Sequence, residues 1–288
     1  MLCKLCPREC GARRDANIGE GFCKMPLMPV VARTQLHFWE EPSISGTKGT
    51  GAVFFSGCSL KCCFCQNSDI SFGTAGEQTD AHGLVEIFKQ LESEGTHTLD
   101  LVNPTHFIPE IRKALLLYKP KIPVIYNSSG YDSVEALKSM EGLIDVYLPD
   151  LKYFSPQKSE RYARCPDYFE KASKAVLEMH RQQPETVFEN GIIKKGLIIR
   201  HLCLPSNAIE SKCILKWIKN NLPSTVYVSL MSQYTPHFKA GEYPEIRDRL
   251  TEAQYKSIVD YFFSLGLTNG YMQDLSSAGE EYIPPFKK

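Results

Sequence analysis

The sequence predicts an α/β fold made of repeated strand–helix units behind a small cysteine-rich N-terminal segment. Three observations predict it. From Gly51 onward, short apolar runs alternate with helical patterns in six units, and that alternation implies a parallel sheet with right-handed crossovers. Five of the strand ends carry polar groups: Cys58 onward, Asn103-Pro104-Thr105-His106, Asn127-Ser128-Ser129-Gly130, Asp150-Leu151-Lys152 and Arg200-His201. The 288 residues are enough for a barrel that is one domain. Six units either curl into a partial barrel or lie flat as a doubly wound sheet. Both arrangements collect ligands at the carboxyl ends of the strands.

The elements follow in order. AVFFSG (52–57) is a short apolar strand ending in Gly. AHGLVEIFKQLESEG is a helix with Leu84, Ile87, Phe88 and Leu91 on one face. HTLDLVNPT (97–105) is a strand that stops at a Pro, and IPEIRKALLLY is a helix. IPVIYNSSG (122–130) is a strand ending in turn residues. DSVEALKSM is a helix with Asp132 as its expected cap. IDVYLPDLKY (144–153) is the fourth strand, and two helical stretches follow, the second being YFEKASKAVLEMHRQ. GLIIRHLCLP (196–205), helix AIESKCILKWIKNN, TVYVSLMSQY (225–234) and helix TEAQYKSIVDYFFSLG complete the units, ahead of a polar tail. Residues 1–45 show little helical periodicity and read as an appended module.

Composition excludes several classes of function. Basic and acidic residues balance at a net charge of zero, which gives no reason to expect a nucleic-acid partner. No apolar run reaches membrane-spanning length. The start, MLCKLCPREC, lacks the apolar core of a signal peptide. A soluble, cytoplasmic protein is expected, without membrane or nucleic-acid contacts. In that reducing compartment, eleven cysteines, most of them clustered, point to metal rather than to disulfides.

GCSLKCCFCQNSD (57–69) follows the first strand directly. Cys58-x3-Cys62-x2-Cys65 puts three thiols on one tight loop, which suits an iron–sulfur cluster. A cubane has four irons, so three cysteines leave one iron open. An open coordination position marks a reacting centre, whereas a saturated one is structural. Cys63 breaks the spacing and reads as a filler.

The loop, with Phe64 just before its last cysteine, resembles the signature of the radical S-adenosylmethionine (SAM) superfamily. CKLCPRECGARR, ARTQLHFWEEPSISG, VFFSGCSLKCCFCQN, VNPTHFIPEI, YNSSGYD, YLPDLKY, EMHRQ, GLIIRHLCLP and MSQY extend the resemblance over residues 3 to about 234. They look like the pyruvate formate-lyase activating enzyme-like branch, in its PflX-type subgroup with an N-terminal cysteine motif. The resemblance implies a partial (β/α)6 TIM-like barrel over 46–288 behind the module at 1–45. It implies a 4Fe-4S cluster on Cys58, Cys62 and Cys65 that reductively cleaves SAM to a 5′-deoxyadenosyl radical for hydrogen abstraction. A reductant such as flavodoxin or ferredoxin is then a partner. The acceptor is a glycyl-radical enzyme, or else another protein, a peptide or a metabolite. A non-catalytic iron–sulfur or zinc protein is the reading from another class.

Residue roles follow from the same resemblance. Where the superfamily usually has a Gly-Gly-Glu-type motif, this chain has Val102-Asn103-Pro104-Thr105-His106, and Asn103 and Thr105 supply acceptors there. Asp150 and Lys152 match an Asp-x-Lys motif near SAM, and strand alternation puts both on one face. Phe64, Ser128 and Arg200 are further expected SAM contacts. His201 is either another contact or a satisfied core histidine. Gln233 and Tyr234 are expected to face the substrate. Residues His37 to Glu41 are either part of the site or an amphipathic linker. Cys3, Cys6, Cys10 and Cys23 form a second possible metal set, for zinc or a second cluster.

Overall fold

Residues 2–17 and 19–275 are described by a computed structural model of the protein. In chain order the elements are β1 (Val30–His37), α1 (Pro42–Ser45), β2 (Thr50–Phe55), α2 (Ser68–Ser71), β3 (Glu77–Gln78), α3 (Ala81–Ser93), β4 (Thr98–Val102), α4 (Ile108–Leu117), β5 (Val124–Ser128) and α5 (Val134–Lys138). They continue with β6 (Val146–Pro149), α6 (Pro156–Ala163), α7 (Tyr168–Gln182), β7 (Val187–Glu189), β8 (Ile192–Leu202), α8 (Ala208–Asn221), β9 (Tyr227–Met231), α9 (Glu252–Ser264) and β10 (Gly270–Met272). The sheet order is β10-β9-β8-β6-β5-β4-β2-β1-β3, with β7 paired to β8. Strands β2, β4, β5, β6, β8 and β9 are mutually parallel. They are the six strands of the expected partial barrel.

Strand alternation sorts side chains between two cores. Leu99, Leu101, Val124, Tyr126, Leu197, Ile199, Val228 and Leu230 face the covering helices. Their neighbours Ile125, Val146, Leu148 and Ile198 point the other way and pack with Ile44 of α1, and Ala52, Phe54 and Val102 pack with Ile70. Parallel strands buried on both faces read as near-continuous apolar runs, which is why the sequence showed them so clearly. Helix α3 buries Leu84, Val85, Phe88 and Leu91, and its Asp80 cap accepts from Gly83 N at 2.9 Å.

The structure corrects three details of the sequence reading. Asp132 does not cap α5; Ser133 does, accepting from Ala136 N at 3.4 Å. The Asp132 carboxylate is buried and taken instead by the hydroxyls of Thr105, Tyr126 and Ser128. Strand β8 starts four residues before the expected Gly196, because Asn190-Gly191 turns the chain into a β7–β8 hairpin. Both turn residues have positive φ, 52° and 79°, as a tight two-residue hairpin turn requires. The expected polar tail begins with β10, where a Cβ on Gly270 would stand 1.9 Å from the Val228 carbonyl oxygen. Within residues 1–45, β1 pairs antiparallel with β2 and so extends the sheet. No helix among the described residues is long and apolar enough to cross a membrane.

Candidate functional site

The carboxyl ends of the strands enclose an open cavity of about 240 Å³. Each of the six barrel strands, or the turn after it, contributes to the wall. Cys58, Cys62, Phe64 and Cys65 follow β2; Val102 and Asn103 end β4; Asn127, Ser128 and Ser129 end β5; Asp150 and Lys152 follow β6; Arg200 and Leu202 end β8; Met231, Gln233 and Tyr234 end β9. The chain after β1 adds His37, Trp39 and Glu40.

Three thiols share this wall and the fourth does not. Cys63 packs into the helix-covered core, held by Cys63 N donating to Tyr162 O at 2.8 Å and by Lys239 N donating to Cys63 O at 2.9 Å. Donors approach two of the three cavity sulfurs, Leu60 N to Cys58 at 3.3 Å and Tyr153 OH to Cys62 at 3.6 Å, while Cys65 Sγ donates to Ser71 Oγ at 3.5 Å. Burial pushes Cys58 up to about 12 and Cys62 up to about 11, and it raises Cys65. The other cavity thiolates add to the rise at Cys58 and Cys62, so their proximity is itself unfavourable to charge. A bound cation reverses that balance, because a coordinating thiol deprotonates outright. Among the described residues no three His, Cys, Asp or Glu side chains stand close enough to hold a single ion. A cubane makes a different demand, since each cysteine takes a different iron. Three cavity-facing soft donors, with the fourth thiol turned away, fit such a cluster with one open corner.

Below the cysteines lies a charged floor inside the barrel. Arg200 Nε donates to Asp150 at 3.1 Å, Nη1 to Glu40 at 2.8 Å and Nη2 to Asn127 Oδ1 at 2.5 Å. Asp150 also accepts from Lys152 Nζ at 2.5 Å. Burial drives Asp150 up, but Lys152 and Arg200 overcome it and hold the carboxyl below its ordinary value. Burial raises Glu40 and Glu41 despite Arg200. Burial, with help from Arg200, lowers His37 to about 4, so its ring is neutral near pH 7. The 3.9 Å approach of His37 to Glu40 is therefore a polar contact and carries no ion-pair energy at that pH.

Asp100, in the middle of β4, is fully buried beneath this floor. Its Oδ2 accepts from Asn127 Nδ2 at 3.1 Å and its Oδ1 has no partner. Burial raises its pKa well above the ordinary value; Glu40 and Glu41 add to the rise, and Asn127 and Arg200 oppose it. An acid with a raised folded-state value contributes full stability below its unfolded value and loses it as pH rises through the folded value. The expected result is that Asp100→Asn, which carries no proton to lose, gains melting temperature over the parent. The gain grows as pH rises above about 4 and then levels off. Thermal scans across pH check this, and a gain that shrinks with rising pH refutes it.

The predicted residues separate into three groups. Cys58, Cys62, Phe64, Cys65, Asn103, Ser128, Asp150, Lys152, Arg200, Gln233 and Tyr234 all reach the cavity. Asn103 spends its amide on Gly57 O at 2.5 Å and has a positive φ of 60°. Thr105 stands off the wall, fully buried with its hydroxyl on Asp132. His201 faces the core: its ring meets Leu151 O at 2.7 Å and Ser211 Oγ at 2.8 Å, and burial lowers it to about 4. Of the stretch His37 to Glu41, the structure brings His37, Trp39 and Glu40 to the cavity, whereas Asp100 is not singled out by the sequence reading. A lone Asp inside TLDLV was the available signal.

No family model matches the chain. It is 30% identical over 267 residues to the uncharacterized protein MJ0674 of Methanocaldococcus jannaschii, covering 90% of this chain and 73% of that protein. Among solved structures it is similar to Streptococcus suis SuiB bound to its precursor peptide SuiA, at a TM-score of 0.55 and 13% identity over 77% of this chain. It is also similar to anSMEcpe with bound AdoMet, at 0.53 and 16% over 76%, and to methylornithine synthase (PylB), at 0.51 and 14% over 74%. The chain spans 48%, 61% and 62% of those three structures. At these identities the likeness is one of fold: a mixed α/β partial barrel.

Proposed function

The chain belongs to the family of the uncharacterized protein MJ0674, and from that premise we propose that it is a radical SAM enzyme. The observation that carries the reading is the row of three thiols, Cys58, Cys62 and Cys65, on one wall of a cavity at the strand ends, with Cys63 turned into the core. A 4Fe-4S cluster bound there supplies an electron to SAM, whose cleavage to methionine and a 5′-deoxyadenosyl radical provides the hydrogen-abstracting species.

The rest of the proposed chemistry belongs to the protein. Cys58, Cys62 and Cys65 hold the cluster and leave one position for the cofactor. Leu60 N and Tyr153 OH point at the sulfurs, and hydrogen bonds of that kind tune a cluster's potential. Arg200 sets the positions of Glu40 and Asp150, and with Lys152 it offsets their charges, so the floor carries both signs. Phe64 is boxed edge-on by Tyr153, Tyr162 and Tyr234, which keeps one side of the loop dry. The reductant is a flavodoxin or ferredoxin. The acceptor of the radical is a protein, a peptide or a metabolite, glycyl-radical enzymes included.

Anaerobic reconstitution with iron and sulfide, followed by incubation with SAM and dithionite, tests the reading. 5′-Deoxyadenosine is the expected product, detected by chromatography. Reduced, cluster-loaded protein that leaves SAM intact would mean a non-catalytic metal protein. A glycyl-radical partner would announce itself as a doublet in electron paramagnetic resonance when the two proteins are mixed under the same conditions.

A further inference from the structure

Four cysteines, Cys3, Cys6, Cys10 and Cys23, stand outside the cavity and take no part in the proposed reaction. The backbone nonetheless gathers them. Cys3 N donates to Ala12 O at 3.0 Å and Gly11 N returns to Cys3 O at 3.1 Å. Between these, Glu9 N closes a turn on Cys6 O at 3.0 Å. Glu9 and Gly11 both have positive φ, 40° and 61°, which lets so short a segment double back. Isolated bridges Leu2↔Arg13 and Arg14↔Gly19 carry the fold-back on toward Cys23. Gly21 then lies against Cys10: a Cβ there would stand 3.2 Å from the Cys10 sulfur. Lys24 N donates to Gly21 O at 2.9 Å, so Cys23 sits within that turn.

A second observation points to an anion at this place. Arg14 is 1% exposed. Its guanidinium donates to Met25 O at 2.9 Å, Pro26 O at 2.5 Å, His106 O at 2.8 Å and the Cys3 sulfur at 3.4 Å. Carbonyls satisfy its hydrogens without neutralising its charge. Among the described residues no carboxylate pairs with it. A buried cation without a counter-charge is strongly unfavourable. Sulfur is the acidic element within its reach, and a divalent ion bound by four thiolates carries a net negative charge.

We propose that Cys3, Cys6, Cys10 and Cys23 form a closed four-thiolate metal centre with Arg14 as its buried counter-charge. The centre takes either a zinc ion or an iron–sulfur cluster, the two occupants that four thiolates on a knuckle saturate. Among the described residues no three His, Cys, Asp or Glu side chains stand close enough to hold a single ion, so a zinc ion requires the thiols to turn inward, whereas each cysteine of a cluster takes its own iron. The centre abuts the cavity's cysteine loop. Arg8 Nε donates to Ser59 O at 2.9 Å, and the Met25 side chain and the Cys23 carbonyl fill the space beside Gly57. Metal at the N-terminus therefore braces the loop that carries Cys58, Cys62 and Cys65. This does not depend on SAM chemistry.

The test isolates the centre by replacing Cys58, Cys62 and Cys65 together with alanine and measuring metal in the full chain after exposure to zinc and, separately, after anaerobic iron–sulfide reconstitution. The expected result is about one centre retained per chain, colourless if it is zinc and brown if it is a cluster. It should be lost when Cys6→Ser and Cys23→Ser are added. No retained metal, or metal that survives those two changes, overturns the proposal. In the unmodified chain, alkylation with mass detection offers a route that needs no variant. Cys3, Cys6, Cys10 and Cys23 should resist labelling until a chelator is added, and equal labelling with and without chelator refutes the centre. Arg14→Gln should weaken metal affinity about 10–100-fold in chelator competition, and an unchanged affinity removes Arg14 from the proposal.

Discussion

Cys62→Ala is expected to abolish both the iron–sulfur absorbance and the formation of 5′-deoxyadenosine, while Cys63→Ala keeps both. The two positions are adjacent, so a general disturbance of the loop would affect them alike. What separates them is direction. The Cys62 sulfur lines the cavity and meets Tyr153 OH at 3.6 Å, whereas Cys63 is buried in the helix-covered core. Truncating Cys63 removes one buried sulfur and costs on the order of 1 kcal/mol, a typical value for a single substitution. Truncating Cys62 removes one of only three proposed ligands. Anaerobic reconstitution of both variants, followed by visible spectra and chromatography, makes the comparison. Identical behaviour of the two variants would falsify the assignment of this loop.

Arg200→Met is expected to destabilise the protein by about 3–5 kcal/mol, the usual cost of removing one partner from a buried charge pair. The side chain is close in length but leaves Glu40 without its ion-pair partner and Asp150 with Lys152 alone. Arg200 also holds the Asn127 amide, whose other end is on Asp100, so the loss spreads to β5 and β4. Arg200→Lys keeps the charge but not the planar fork that serves several acceptors at once, and it should fall between the two. Urea unfolding measures the difference, and SAM retention by equilibrium dialysis should fall in parallel. A methionine variant as stable as the parent would show that this network contributes little to the fold.

The sequence made some features plain and others obscure for identifiable reasons. Parallel strands buried on both faces left apolar runs that needed no tertiary information to read. Asp132 misled because a carboxylate before a helix suits a cap, yet three hydroxyls from β5 and the β4 turn compete for it and win. The Asn190-Gly191 hairpin carried a readable turn signal. Thr105 and Asn103 sit at the expected strand end, but a positive φ at Asn103 and the pull of Asp132 on Thr105 decide where their side chains go.

By itself, the sequence determined what lies within a few residues: the strand–helix alternation, the spacing of Cys58, Cys62 and Cys65, and the shared face of Asp150 and Lys152. Those features follow from local backbone periodicity. Only the tertiary structure decided that Glu40 meets Arg200 across 160 positions, that Asp100 lies beneath them, and that Arg14 is buried beside Cys3. Such contacts depend on how the sheet curves and on which charges are left without water, and neither is written in any short stretch of chain.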